Sequence, residues 1–336
     1  MTRYVVVGAG AVGATLAAQF HIHGIDYVLV ARGDTYRALK SGGLRYVRPD
    51  GQIRVPLDVV DGPESVSLRR GDVLVLAVKA QQAEQAVHDW AWRPVEGSDE
   101  TAARVVPIVT LQNGIESERT VLRRFHTVYG ASIWIPGTHV EPGRVIAAGI
   151  PDVALVWLGR YPSGSDAHAE RIAADLRRVD VPTQVVGDIQ RWKASKLIGN
   201  LLNAVDVFEA DESEIEATRR ALESEAFAVL AAAGITLADY ATEATQDRSQ
   251  LSVAPIDGHS IERKSTWQSL ARGSDTVETD YLNGEISLLG RLHGVSTPVN
   301  DRLQEALGRA SLVRETPGSR RLADVVGTAR LEGSVP

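Results

Sequence analysis

The stretch Arg3–Phe20, RYVVVGAGAVGATLAAQF, decides the fold of this chain. An apolar run, Tyr4 to Val7, leads straight into Gly8-Ala9-Gly10-Ala11-Val12-Gly13 and then into an alanine- and leucine-rich segment of helical character. Each glycine answers a different steric demand of a strand–turn–helix unit. Gly8 permits the tight turn, Gly10 leaves room for a pyrophosphate against the backbone, and Gly13 lets the helix lie close to the strand. The phosphates would then meet the helix N-terminus, whose N–H groups and dipole favour negative charge. Glycine triplets alone match by accident. Placed between an apolar strand and a helix, this one predicts a dinucleotide-binding unit.

Working outward, the first half alternates β-branched runs with helical patterns, the mark of βαβ units and a parallel sheet. Strands are expected at Tyr4–Val7, Tyr27–Val30, Val73–Val78, Val105–Leu111 and Val128–Ile133, and helices at Val12–His23, Gln81–Trp90, Glu116–Phe125 and Ala167–Val179. Residues 43–59, GLRYVRPDGQIRVPLDV, read as a hairpin about Pro49-Asp50-Gly51. A second hairpin-like region is expected over His139–Ile146 and Val153–Leu158, with Pro142-Gly143 inside it. Past Val186 helical patterns dominate: Ile189–Val207, behind an N-cap at Asp188, then Glu212–Ala233, Val277–His293 and Val299–Val313. The expected organisation is an α/β chain with a doubly wound, Rossmann-type domain over 1–187. A mostly α-helical domain follows over 188–315, and a fraying tail over 316–336.

Composition excludes several classes. At 336 residues the chain is long enough for two cores, and 44% hydrophobic with 24% charged residues is ordinary for a globular protein. The net charge of −7 is interleaved, which leaves no basic footprint for nucleic acid or an anionic membrane. The absence of cysteine removes disulfides, thiolate catalysis and cysteine-held metals. No run approaches the roughly 18 apolar residues of a membrane helix. Arg3 before an apolar stretch imitates a signal peptide, but glycines at strand–turn–helix spacing fit the nucleotide unit better. A cytoplasmic location is the expectation, with a homodimer left open. His21 and His23 lie two apart on a helix and cannot share a metal, and no other pattern suggests one.

The nucleotide's identity turns on the end of the second strand. An NAD site normally carries Asp or Glu about 20 residues past the glycines. Here VLVARGD places Arg32 there, and a guanidinium pairs with a 2′-phosphate, which points to NADP(H). Asp34, two residues on, pulls the other way, and Arg32 would also fit an ordinary solvated loop. Lys79 and Gln82 follow VLVLAV at the carboxyl edge, where such folds bind ligands. Lysine at a helix start opposes the dipole and would welcome a phosphate. Asn113-Gly114 closes the next strand and is also a common turn dipeptide.

Residues 188–208, DIQRWKASKLIGNLLNAVDVF, carry the chemistry. On a helix Lys193, Lys196, Asn200 and Asn203 form one polar stripe, opposite Leu197, Ile198, Leu201, Leu202 and Val205. A plain amphipathic surface helix would look similar, yet asparagine is a poor helix former for a merely solvated face. A lysine between amides can protonate a carbonyl oxygen while the amides hold a small polar substrate. Glu278, in SDTVETDYLNGE, also fits a capping box begun by Asp275.

These motifs together resemble ketopantoate reductases (2-dehydropantoate 2-reductases). GAGAVG, VLAVKAQQ, LQNG, WKASKLIGNLLN and STWQSLARGSDTVETDYLNGE recur in that family's order, over residues 1 to about 315. The resemblance implies a Rossmann domain followed by a helical domain of the 6-phosphogluconate-dehydrogenase type, with the active site in the cleft between them. It implies that Gly8 to Gly13 (with Ala9, Ala11 and Val12) form the cofactor turn, that Arg32, Lys79 and Gln82 hold the NADPH adenosine end, and that Asn113 lies near the nicotinamide. Lys196 matches the general acid, Asn200 a substrate-binding amide, and Glu278 the acid near nicotinamide and substrate. The family's second asparagine stands eight residues after the lysine. Here Ala204 holds that place and Asn203 precedes it, a turn of about 100° around the helix. Thr266 or its neighbour Ser265 matches the serine that binds the substrate carboxylate, and Trp267 replaces a small or flexible apolar residue.

The function so implied is NADPH-dependent reduction of a small, branched 2-oxo acid, ketopantoate foremost. Two other readings remain open: a reductase of another 2-oxo acid or an imine, and an NADPH sensor without chemistry.

Overall fold

The structure, a computed structural model, describes residues 2–256 and 263–327. Two compact units emerge. One takes Met1–Gln112, Ser117–Trp192 and Asp239–Ile261, the other Asn113–Glu116, Lys193–Ala238 and Glu262–Pro336. The division therefore differs from the boundary expected at 187/188. It falls inside the helix Ile189–Asn200, and two short segments change sides.

The first unit is built on an eight-stranded sheet. From edge to edge its strands are Val59–Val60, Tyr27–Val30, Arg3–Val7, Asp72–Leu76, Ile108–Thr110, Val128–Trp134, Leu155–Arg160 and Thr183–Val185. Pairing is parallel except between Val128–Trp134 and Leu155–Arg160, which run antiparallel. Side-chain alternation sorts the two faces. Tyr4, Val6, Leu29, Val73 and Val75 enter one core with Leu16, Phe20 and Ile172 from helices Ala11–Ile22 and Ala167–Arg177. Val5, Val7, Val28, Leu74 and Leu76 enter the other with Val87, Trp90 and Val121 from helices Ala83–Ala91 and Ser117–Leu122. A sheet buried on both faces needs these continuous apolar strands. This is the Rossmann-type architecture. The strand order reverses at Arg3–Val7, whose neighbours are Tyr27–Val30 and Asp72–Leu76, so ligand chemistry is expected at the carboxyl ends of these strands.

Several local expectations change. Residues Ala102–Val105 form a helical turn, so the strand expected over Val105–Leu111 shrinks to Ile108–Thr110. The hairpin about Pro49-Asp50-Gly51 forms as Leu44–Arg48 against Gly51–Val55. The second hairpin is Gly137–Glu141 against Arg144–Ala147, and it joins the first hairpin in a separate four-stranded sheet. The segment assigned to it at Val153–Leu158 instead becomes Leu155–Arg160 of the main sheet, because its consecutive residues Leu155 to Leu158 are all buried, as a strand covered on both faces requires. Helix Gly33–Gly42, which the strand–helix list omits, follows Arg32.

The segment that returns to this unit at Asp239 is tied to it, at Tyr240 and Glu243, by aromatic packing and charge. Tyr240 sits edge-on to Trp157 and Trp192 at 4.7 and 5.0 Å, and its hydroxyl donates to the Trp192 carbonyl. Arg191 grips Glu243 with two bonds of 2.8 Å.

The second unit is helical. Helix Glu212–Ala232 opens with a reciprocal capping box between Asp211 and Glu214, and packs with Asn283–His293 and Pro298–Val313. Its core joins Leu222, Val229, Leu230, Ile286, Leu303 and Leu307. Glu225 accepts the Val299 and Asn300 backbone N–H groups at 2.8 and 3.1 Å, which satisfies the N-terminus of Pro298–Val313. The expected fraying tail is corrected over its described part. Leu322 and Val326 are buried, helix Leu322–Val326 packs on this core, and Leu322 N–H donates to the Glu209 carbonyl. Two leucine/valine anchors at helical spacing outweigh the glycine and proline punctuation around them. The rest of the tail lies outside the described residues.

Candidate active site

The positions singled out from the sequence fall into two groups, one in each unit. In the first unit the glycine turn has the geometry that its residues demand. Gly8 adopts φ +112°, where a side chain would be strained, and a Cβ there would lie 2.9 Å from Ala77 and Val78. A Cβ on Gly13 would lie 1.9 Å from the Gly8 carbonyl oxygen, so the helix can approach its strand this closely only with glycine. Gly10 differs: a Cβ there meets no atom within 4 Å. Packing among the described residues does not require glycine at that point, which leaves room for an incoming group. Gly10 also caps helix Ala11–Ile22 without any side-chain bond, and the first turn, with Ala11 and Val12, holds no acid. That helix end is open to an anion. Ala9, Gly10 and their neighbours therefore fit a dinucleotide phosphate bridge.

Arg32 begins helix Gly33–Gly42, next to the carboxyl end of Tyr27–Val30. Its guanidinium is 63% exposed and bonds Asp89 at 2.7 Å. Asp34 is held by Arg37 instead, one turn along the helix. Lys79 precedes and Gln82 ends the turn Ala80–Gln82 after strand Asp72–Leu76, so both follow the carboxyl end of a strand that neighbours Arg3–Val7.

In the second unit the lysine helix is not a solvated surface helix. Lys193 is 4% exposed and Asn203 8%, and Leu197 and Leu201 are fully buried opposite them. The regular helix ends at Asn200. Two tight turns, Leu201–Asn203 and Val205–Val207, replace its expected extension to Val207. Lys196 Nζ donates to Asn113 Oδ1 at 2.7 Å. Asn113 thus meets the lysine directly, a contact for which the nicotinamide assignment made no provision. Its neighbour Gly114, at φ +83°, comes so close to the Tyr281 carbonyl that a Cβ would lie 2.5 Å away. The Asn-Gly pair, which bends the chain after strand Ile108–Thr110, is therefore also a packed approach.

Asn200 Nδ2 is buried with no hydrogen-bond partner among the described residues, a cost that a ligand oxygen would relieve. Asn203 Nδ2 reaches Ser265 Oγ at 3.4 Å, whereas Thr266 is 3% exposed within helix Ser265–Ala271. Of those two candidates, Ser265 is the one that the asparagine contacts. Glu278 is 8% exposed and begins a tight turn, Glu278–Tyr281, ahead of helix Asn283–His293. The capping-box alternative fails because Val277, not Asp275, precedes that turn and the helix itself starts later.

Burial pushes the Lys196 ammonium down to about 7, the nearby charge of Lys193 adds to that, and Glu278 opposes it. A lysine poised there exchanges a proton readily at neutral pH. Among the described residues, no group of three or more His, Asp or Glu could hold a metal. Two features escaped the sequence reading. One is the pairing of Asn113 with Lys196, residues 83 apart in sequence. The other is Asp89 beside Arg32, whose only trace in sequence is Gln85 one helical turn before it.

The chain is similar to known proteins over both of its parts. Residues 4–162 match the family described as ketopantoate reductase PanE/ApbA, and residues 188–310 match that family's C-terminal domain. A Mycobacterium tuberculosis 2-dehydropantoate 2-reductase is 30% identical over 330 residues, covering 92% of this chain and 98% of the relative. A PanE/ApbA family ketopantoate reductase from Ralstonia eutropha has a similar structure, with TM-score 0.74, 22% identity and coverage of 93% and 99%. D-mandelate dehydrogenase, in a ternary structure with NADH and anilino(oxo)acetate, is similar with TM-score 0.76, 22% identity and coverage of 94% and 100%. The glycine turn, the lysine helix and these matches over both parts of the chain lead to one conclusion: the chain belongs to the ketopantoate reductase PanE/ApbA family and is an oxidoreductase.

Proposed function

We propose that the chain reduces a small, branched 2-oxo acid with NADPH, with 2-dehydropantoate as the leading substrate and pantoate as product. The observation that carries this reading is Lys196, held on Asn113 with its ammonium brought to about 7, in a family of reductases. When bound, reduced nicotinamide supplies a hydride to the carbonyl carbon. Lys196 gives its proton to the carbonyl oxygen as negative charge develops there, so the ketone becomes a secondary alcohol and the lysine is left neutral. Asn113 orients the ammonium, Asn200 offers its unpartnered amide to a substrate oxygen, and Ser265 with Asn203 offers polar contacts for the carboxylate. Glu278 stabilises the charged lysine.

A panel of 2-oxo acids followed by NADPH absorbance tests this. Turnover fastest with ketopantoate supports it, and faster turnover with a different 2-oxo acid replaces the substrate. The similarity to D-mandelate dehydrogenase and the shifted Asn203 both make that panel worth widening to aromatic acids. No oxidation with any acid favours a nucleotide sensor.

NADP(H) rests on Arg32. Arg32→Asp should weaken NADPH binding by about tenfold or more while sparing NADH, since a carboxylate repels a 2′-phosphate and suits a ribose diol. Equal losses with both cofactors would remove Arg32 from the 2′ position.

The lysine pair sets a pH dependence. Because the acid form of Lys196 is the reactive one, kcat/KM for reduction should fall as pH rises through about 7. Lys193→Met removes a like charge one turn away and should move that limb upward by about one pH unit. A limb unmoved in the variant would show that Lys193 does not act on Lys196.

A further inference from the structure

The pair formed by Arg32 and Asp89 is more than a surface ion pair. Asp89 lies on helix Ala83–Ala91 and uses both carboxylate oxygens: Oδ2 accepts from Arg32 Nη2 at 2.7 Å, and Oδ1 accepts from Gln85 Nε2 at 2.7 Å. The two partners differ in exposure. The Asp89 side chain is 20% exposed and fixed by Gln85, while that of Arg32 is 63% exposed. The guanidinium is thus turned toward a carboxylate that stays where it is. A guanidinium has five donors and can hold two anions at once, but those anions then repel each other. A 2′-phosphate, near two negative charges at neutral pH, would arrive beside a standing carboxylate.

We propose that Asp89 is a specificity-determining residue for the cofactor: by occupying Arg32 it lowers the preference for NADPH and brings NADH within use. The ribose diol of NADH is uncharged and does not meet this repulsion, so the effect is selective. This inference rests on the reading that Arg32 meets the 2′-phosphate. Asp34, an acid two residues past Arg32 in helix Gly33–Gly42, is taken up by Arg37 and does not compete for the same guanidinium.

The test is direct binding of NADPH and NADH to the full chain carrying Asp89→Asn, with Arg32→Ala measured in parallel. The amide keeps an oxygen for Arg32 and removes the charge. Like-charge repulsion at a solvent-exposed pair is of the order of a few-fold in affinity, so NADPH should bind about fivefold tighter to Asp89→Asn, with NADH unchanged within about twofold. Raising the salt should shrink the difference. Unchanged or weaker NADPH binding would overturn the proposal and make Asp89 a support for Arg32. The underlying reading fails separately, if Arg32→Ala weakens the two cofactors alike. Asp89→Ala serves as the second variant, and it should also favour NADPH, by a smaller factor because Arg32 loses its anchor.

Discussion

Replacing Lys196 with Ala should lower turnover with the preferred 2-oxo acid by about 10²- to 10⁴-fold, the usual worth of a positioned general acid. NADPH affinity should stay within about twofold, because Lys196 and the glycine turn belong to different units. Stopped-flow reduction and cofactor titration separate the two quantities, and unchanged turnover would take Lys196 out of the mechanism. The companion variant Lys196→Met should move stability the other way. The folded-state value of about 7 lies below the ordinary lysine value, so the unfolded chain holds a proton that the folded chain lacks over roughly pH 7 to 10. Stability of the native protein therefore rises with pH across that window. Below it the folded chain carries the full cost of a buried ammonium. Lys196→Met should raise the melting temperature by a few degrees at pH 6 and by much less near pH 10. A melting temperature that falls at every pH would mean that the lysine supports the fold.

Alanine at two neighbouring glycines should separate fold from ligand. In Gly13→Ala the new methyl would lie 1.9 Å from the Gly8 carbonyl oxygen, a clash that only opening of the turn relieves. Overpacking of this kind costs about 1–3 kcal/mol, so the melting temperature should drop by about 5 °C and dinucleotide affinity by more than about tenfold. In Gly10→Ala the methyl meets no atom within 4 Å, and the backbone there, φ −77° and ψ −165°, is ordinary extended chain. Thermal stability should hold within about 1 °C, while NADPH binding falls by about tenfold because the methyl takes the space of the pyrophosphate. Gly10→Ala binding NADPH like the parent would show that the phosphates pass elsewhere.

Much of this was legible because it is local. Strand, turn and helix at residues 3–20 follow from nearest-neighbour sterics, and alternation of apolar residues places Val5 and Val6 on opposite faces without knowledge of any partner. The lysine stripe was legible for the same reason, since helical spacing alone aligns Lys193, Lys196 and Asn200. Where local rules failed, a distant partner decided. Residues 153–158 look like half a hairpin until the main sheet takes Leu155–Leu158 between two neighbouring strands. The tail looks frayed until Leu322 and Val326 find a core.

By itself, then, the sequence determined the glycine turn between strand and helix, the α/β and helical organisation and the polar stripe of Lys193, Lys196 and Asn200, since each is written in spacings of a few residues. Tertiary structure alone decided that Asn113 holds Lys196, that Asn200 keeps a buried amide open, and that Asp89 occupies Arg32. Those contacts join residues up to 83 apart, and hydrogen bonds and charges act over a few ångströms of space, a distance that chain spacing does not record.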